Sequence, residues 1–131
     1  MIIDTSALLA ILFSEPSAER ILTTIEGAAD AAAGAPTLFE AEMVVSARRG
    51  ERGVGALRDL LDRLEVEEIP FGSAHRRTAT AAFLTFGKGR HPAHLNLGDC
   101  LTYATAKVAQ KPLLCVGGDF ARTDLELVPL G

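Results

Sequence analysis

Asp4, Glu40, Asp99 and Asp119 stand far apart in the chain but in comparable settings. Asp4 ends the apolar start Met1-Ile2-Ile3, Glu40 lies in TLFEAE, Asp99 in NLGDC, and Asp119 follows KPLLCVGG. Carboxylates brought together repel one another unless a cation neutralises them. Oxygen donors with no supporting His or Cys suit a hard ion such as Mg²⁺, with Mn²⁺ as a substitute. Four acids at one edge of a fold therefore outline a metal-dependent phosphodiester site, in which the ion polarises a phosphate oxygen and acidifies water.

Each acid also has a structural role open to it. Asp4, Thr5 or Ser6 can cap the helix that follows Ile3. Thr37-Leu38-Phe39-Glu40 fits a capping box, with Glu40 bonding back to the backbone of Thr37. Asp99 falls in the first turn after Asn96, a good N-cap, and complements the helix dipole. Asp119 can cap a short turn beginning at Phe120, and Asp124 reads as a solvated charge in the same loop. Singly, these roles are the simpler reading, but four carboxylates converging on one edge strain it.

The elements that must position these acids follow from the apolar pattern. Met1–Ile3 reads as a buried strand, and Leu8, Leu9, Ile11 and Leu12 as a helix packed inside the domain. SAERILTTIEG has helical spacing and stops at Gly27, whereas AADAAAGAP is either a central strand or a loop. TLFEAEMVVSARRG predicts a helix closed by Gly50, and GALRDLLDRLE a second one. VEEIPF is a strand, SAHRRTATAAFLTFG a helix ending near Gly87, and GKGRHPAHL a loop. NLGDCLTYATAKVAQ is a helix with Leu97, Leu101, Ala104 and Val108 on its apolar side, KPLLCVGG a strand and turn, and LELVPL a last edge strand.

Alternating strands and helices imply an open, mostly parallel sheet with helices on both faces, and such sheets bind ligands outside the carboxyl ends of their strands. At 131 residues and 48% hydrophobic, the chain is one domain, residues 1–131, able to bury a core without metal or disulfide staples. No stretch approaches the length of a membrane span, and the N-terminus lacks signal-peptide features, so a cytoplasmic protein with no membrane partner is expected.

With 13 basic and 17 acidic residues the formal charge is -4, so any nucleic-acid contact must be a local basic patch rather than bulk attraction. Lys88, Arg90 and His91, just before NLGDC, supply such a patch, although three charges on a Gly-rich stretch also suit a plain solvated loop. His91 and His94 have no further His or Cys nearby and read as loop histidines rather than zinc ligands. Cys100 and Cys115 match no zinc or redox spacing and read as reduced, partly buried thiols.

MIIDTSALLAI, the acid of TLFEAE, FGKGRHPAHLNLGDC and LLCVGGDFARTDL, taken together and in order, resemble the PIN-domain nucleases, in particular the VapC-type toxins of bacterial toxin–antitoxin pairs. The resemblance covers essentially the whole chain. It implies a PIN-like three-layer α/β/α sandwich, Mg²⁺-dependent endoribonuclease activity on RNA, a homodimer, and a cognate VapB-type antitoxin that inhibits the toxin. It gives Asp4, Glu40 and Asp99 the places of the family's metal-binding acids and Asp119 that of the fourth catalytic acid. Thr5 and Ser6 would hydrogen-bond the ligands from behind, and Lys88, Arg90 and His91 would grip the RNA. Many family members carry an acid where this chain has Gly117, which leaves the fourth role to Asp119 with Asp124 as its neighbour. The alternatives are a PIN-like module that binds RNA or protein without cutting, and a phosphoacceptor receiver domain.

Overall fold

A computed structural model describes residues 1–130; Gly131, the last residue of the expected single domain, lies outside the described residues. Four short parallel strands form the sheet: β1 (Ile2–Ile3), β2 (Ala32–Gly34), β3 (Glu67–Ile69) and β4 (Leu113–Leu114), in the order β3-β2-β1-β4. The Ala-rich segment, strand or loop by its sequence, is thus a strand, and an interior one. Its small side chains let helices lie close: a Cβ added at Gly34 would stand 2.6 Å from Thr105 Oγ1.

Alternation along each strand divides the interior into two cores. Ile3, Ala33 and Leu114 face one way, against α1 (Thr5–Leu12), α2 (Ala18–Glu26) and α3 (Ala35–Arg63). Ile2, Ala32 and Leu113 face the other way, against α4 (Ser73–Phe86) and α5 (Leu97–Ala109). This is the three-layer α/β/α sandwich that the pattern implies. A receiver domain has a different strand order, in which its second strand lies at the sheet edge, so that alternative falls.

Three expectations are corrected. α3 begins at Ala35, with Gly34 as N-cap and Pro36 in its first turn, rather than at Thr37; Glu40 therefore lies in the second turn, and no capping box forms there. The break expected at Gly50 is present, with φ 65° and ψ -160° that only glycine adopts easily, so the Ala35–Arg63 helix is two helices joined at a kink. A surface ion pair from Arg58 Nη2 to Glu42 Oε2, at 2.7 Å, spans that kink.

Second, the apolar side expected for α5 is misplaced, since Leu97 and Val108 are exposed while Cys100, Thr102, Tyr103, Ala104, Thr105 and Ala106 are buried. α5 packs on α4, on α3 and on β2, so its buried face is broad and includes two threonine hydroxyls. Third, LELVPL makes no strand: Leu127 forms only an isolated bridge with Leu113, the Val128 N–H donates to Leu113 O, and Pro129, which has no N–H, comes next. No helix among the described residues is long and apolar enough to cross a membrane.

Candidate active site

β1 carries the chain to Asp4, whose backbone N–H donates to Leu114 O of β4 at 2.9 Å, fixing the residue at the carboxyl edge of the sheet. Asp4 is the N-cap of α1: its Oδ2 accepts from the Ser6 N–H at 3.1 Å. The same oxygen accepts from Ser6 Oγ at 2.6 Å, and Oδ1 accepts from Thr102 Oγ1 at 2.8 Å. Capping and a buried polar site thus coexist in one residue, 7% exposed. Ser6 Oγ in turn accepts from the Val116 N–H at 2.9 Å, linking α1 to the segment that leads to Asp119.

Glu40 reaches the same edge from α3. Thr5 Oγ1 donates to its Oε1 at 2.6 Å, and a Cβ on Gly98 would stand 2.5 Å from its Oε2. The absent side chain at Gly98 leaves the space in which the Glu40 carboxylate lies against the first turn of α5. Asp99, the next residue, takes part in a capping box with Asn96: its N–H donates to Asn96 Oδ1 at 2.9 Å, and its Oδ2 accepts from the Asn96 N–H at 3.1 Å.

The Asp99 carboxyl is pushed up to about 6. Burial is the main cause, the Asn96 N–H opposes it, and the negative charges of Asp119, Asp4 and Glu40 add to the rise. Asp119 sits exposed on the turn after Gly117-Gly118, where the Ala121 N–H bonds to Gly118 O. Burial and the charges of Asp4, Asp119 and Asp99 likewise push the Cys115 thiol up to about 11, while Cys100 rises chiefly by burial; neither thiol is an activated nucleophile.

All four acids therefore share one edge. Ion pairs among the described residues use Asp30, Glu42 and Asp124, and none uses Asp4, Glu40, Asp99 or Asp119. No three carboxylates, His or Cys among the described residues converge closely enough to cage a bare ion. A hard divalent ion at this edge would keep several of its waters. The donor set, all hard oxygen, fits such an ion.

Asp124 is committed elsewhere. Its Oδ1 accepts from the Tyr103 hydroxyl and its Oδ2 from Lys107 Nζ, both at 2.6 Å. Between the two acids left open at this end of the chain, Asp119 is the one whose charge reaches Asp99. In the basic loop, the Arg90 guanidinium lies 5.6 Å from the Phe83 ring centroid, His91 Nδ1 accepts from the Ala93 N–H at 3.0 Å, and the His91 ring meets Phe86 edge-on. His91 thus helps hold the loop in shape. Thr102 is a site residue that no sequence pattern singled out, whereas Thr37, read from the sequence as a helix cap, instead sets its hydroxyl 3.1 Å from that of Thr102. The available signal for Thr102 was its place three residues after Asp99, on the side of α5 that turns inward.

A parallel sheet flanked by helices thus carries acids beyond the carboxyl ends of β1, β2 and β4 and at the start of α5. The PIN domain family model matches residues 1–126. Ribonuclease VapC30 of Mycobacterium tuberculosis is 42% identical over 130 residues, 99% of this chain and 99% of that protein. Ribonuclease VapC36 of the same species is 42% identical over 127 residues, 96% of this chain and 91% of that protein. Among solved structures, Mycobacterium tuberculosis VapC20, described as a sarcin-ricin loop cleaving toxin, aligns with a TM-score of 0.79 at 14% identity, covering 97% of each chain. VapBC2 from Rickettsia felis, bound to a DNA fragment from its promoter, aligns at 0.74 with 19% identity, covering 97% of this chain and 96% of that one. The chain belongs to the PIN-domain family and, within it, to the VapC ribonucleases.

Proposed function

We propose that the chain is a Mg²⁺-dependent endoribonuclease toxin that hydrolyses RNA phosphodiester bonds and is silenced by a cognate VapB-type antitoxin. The observation that carries this reading is the half-buried Asp99 carboxyl, which burial raises first and the charges of Asp119, Asp4 and Glu40 raise further, and which makes no ion pair among the described residues. Such an arrangement is costly unless a cation belongs there.

Asp4, Glu40 and Asp99 are the residues that would hold the ion, each steadied by a donor: Ser6 and Thr102 on Asp4, Thr5 on Glu40, and the Asn96 N–H on Asp99. When bound, the ion supplies positive charge to the phosphate and lowers the pKa of water. Asp119, exposed and without a side-chain partner among the described hydrogen bonds, is free to accept a hydrogen bond from the attacking water and align it. Because water and not the ribose 2′-hydroxyl attacks, the products carry 5′-phosphate and 3′-hydroxyl ends. Lys88 and Arg90 contact the RNA backbone beside Asp99, and His91 shapes their loop.

A cationic side chain of the antitoxin entering among the acids would displace the ion and form charge-assisted hydrogen bonds, which accounts for inhibition. We also infer a cytoplasmic homodimer: the exposed Phe39, Met43 and Leu97 offer apolar surface of the kind that interfaces cover. The test is incubation with total RNA, with Mg²⁺ and with EDTA, followed by mapping of the cut ends. Mg²⁺-dependent fragments bearing 5′-phosphates support the reading. RNA bound but uncut at any Mg²⁺ concentration would leave a binding module instead.

A further inference from the structure

Thr102 lies at the centre of the sandwich, 0% exposed, on the face of α5 turned toward Asp4. A threonine hydroxyl has a single proton. Since Thr102 Oγ1 gives that proton to Asp4 Oδ1 at 2.8 Å, the 3.1 Å contact between Thr37 Oγ1 and Thr102 Oγ1 must have Thr37 as donor. The protons therefore run one way, from Thr37 of α3 through Thr102 of α5 to the carboxylate at the end of β1.

An ionised carboxylate offers about four lone-pair directions, two on each oxygen. Asp4 Oδ2 uses both of its own on the N–H and the hydroxyl of Ser6. Oδ1 uses one on Thr102 and keeps one. We propose that Thr102, backed by Thr37, is a positioning residue that presents the remaining lone pair of Asp4 Oδ1 to the divalent cation, so that Asp4 binds through that one oxygen. The inference rests on the reading of Asp4 as a cation ligand, and it adds two residues that carry no charge and touch no substrate.

The test is Mn²⁺ binding to the RNA-free protein, followed by electron paramagnetic resonance, in the parent, Thr102→Val and Thr102→Ser. Thermal unfolding in EDTA serves as the control for fold. Thr102→Val keeps the shape and removes the donor, and is expected to weaken Mn²⁺ binding about 10- to 100-fold, the usual cost of losing a hydrogen bond behind a metal ligand. Thr102→Ser restores the hydroxyl and is expected to bind like the parent. Parent-like binding by a folded Thr102→Val, or equal weakening in the Val and Ser variants, overturns the proposal.

Should Thr102→Val fail to fold, Thr37→Val leaves the Thr102–Asp4 bond in place and removes only the donor behind it. A smaller loss in the same direction is then expected, and parent-like binding overturns the proposal. A parent protein that binds no divalent ion defeats the cation reading of Asp4 itself, and one that binds Mn²⁺ without cutting RNA defeats the nuclease reading alone.

Discussion

Thr5 Oγ1 donates to Glu40 Oε1 at 2.6 Å, joining the first turn of α1 to the second turn of α3 across 35 positions of sequence. That bond holds the Glu40 carboxylate at the acidic edge, while Glu42, about 200° further round the helix, turns to Arg58, whose Nε donates to it at 2.9 Å. Glu40→Gln is expected to abolish Mg²⁺-dependent cleavage. Glu42→Gln is expected to leave cleavage intact and to cost about 0.5 kcal/mol in stability, as befits a surface pair. Parallel cleavage assays and urea titrations separate the two; an inactive Glu42→Gln with an active Glu40→Gln reverses the assignment.

Asp4→Asn separates capping from ion binding. Asn caps about as well as Asp through its one oxygen, but its NH2 meets the buried Thr102 hydroxyl that donates to Asp4 Oδ1, so a folded variant less stable by about 1–3 kcal/mol is expected. Loss of the anionic oxygen is expected to lower cleavage about 100-fold or more, equivalent to about 3 kcal/mol of barrier. A Mg²⁺ titration of cleavage beside thermal unfolding reads both effects. Full activity in this variant defeats the mechanism.

Gly98→Ala tests the space beside Glu40. The added Cβ would meet the Glu40 carboxylate at 2.5 Å, and since that carboxylate ends a flexible side chain it moves at little cost. In a helix, alanine is favoured over glycine by up to about 1 kcal/mol. The expected variant is as stable as the parent or more so, yet about 10-fold or more slower in cleavage, because Glu40 is displaced. Melting temperature and single-turnover rate, measured together, decide it.

Asp124 is expected to support the fold and not the chemistry. Lys107 and, after it, the Tyr103 hydroxyl hold its carboxyl below the usual carboxylate range. A carboxyl depressed in the folded state contributes stability above its unfolded pKa, about 4, and loses it as pH falls through the folded value. Asp124→Asn is therefore expected to be about 1 kcal/mol less stable than the parent at pH 7, and the gap is expected to narrow below about pH 4. Its cleavage rate at pH 7 is expected to match the parent's, whereas Asp119→Asn loses rate with its stability unchanged. Denaturant titrations at about pH 7 and about pH 3, with cleavage at the higher pH, check the pair.

Lys88 and Arg90 are expected to contribute affinity without chemistry. Replacing both by Ala is expected to weaken RNA binding and to flatten its salt dependence by about one unit of slope for each phosphate that the loop no longer neutralises. Filter binding across a salt series measures this, and an unchanged slope means that the loop is only solvated surface.

Local sequence determined a good deal of this protein. Short apolar runs at Ile2-Ile3 and Leu113-Leu114, helical spacing in Ala18–Glu26, and Asn96 followed by Asp99 each act through neighbours within a turn or a strand, so they are legible without the fold. The junction positions of Asp4 and Asp99 followed from the same signals.

Tertiary structure decided the rest, because it depends on contacts between distant segments. The helix start at Ala35, which frees Glu40 from a cap and gives it to Thr5, depends on where β2 ends beneath α5, where Gly34 meets Thr105. Leu97 and Val108 read as core in a helical projection, yet the side of α5 that is buried is set by α4, α3 and the sheet, and it is the side that brings Thr102 onto Asp4 across 98 positions. Asp119 and Asp124 are the same residue type in one loop. Only tertiary contacts tell them apart, since Tyr103 and Lys107 bond to Asp124 while the charge of Asp119 acts on Asp99.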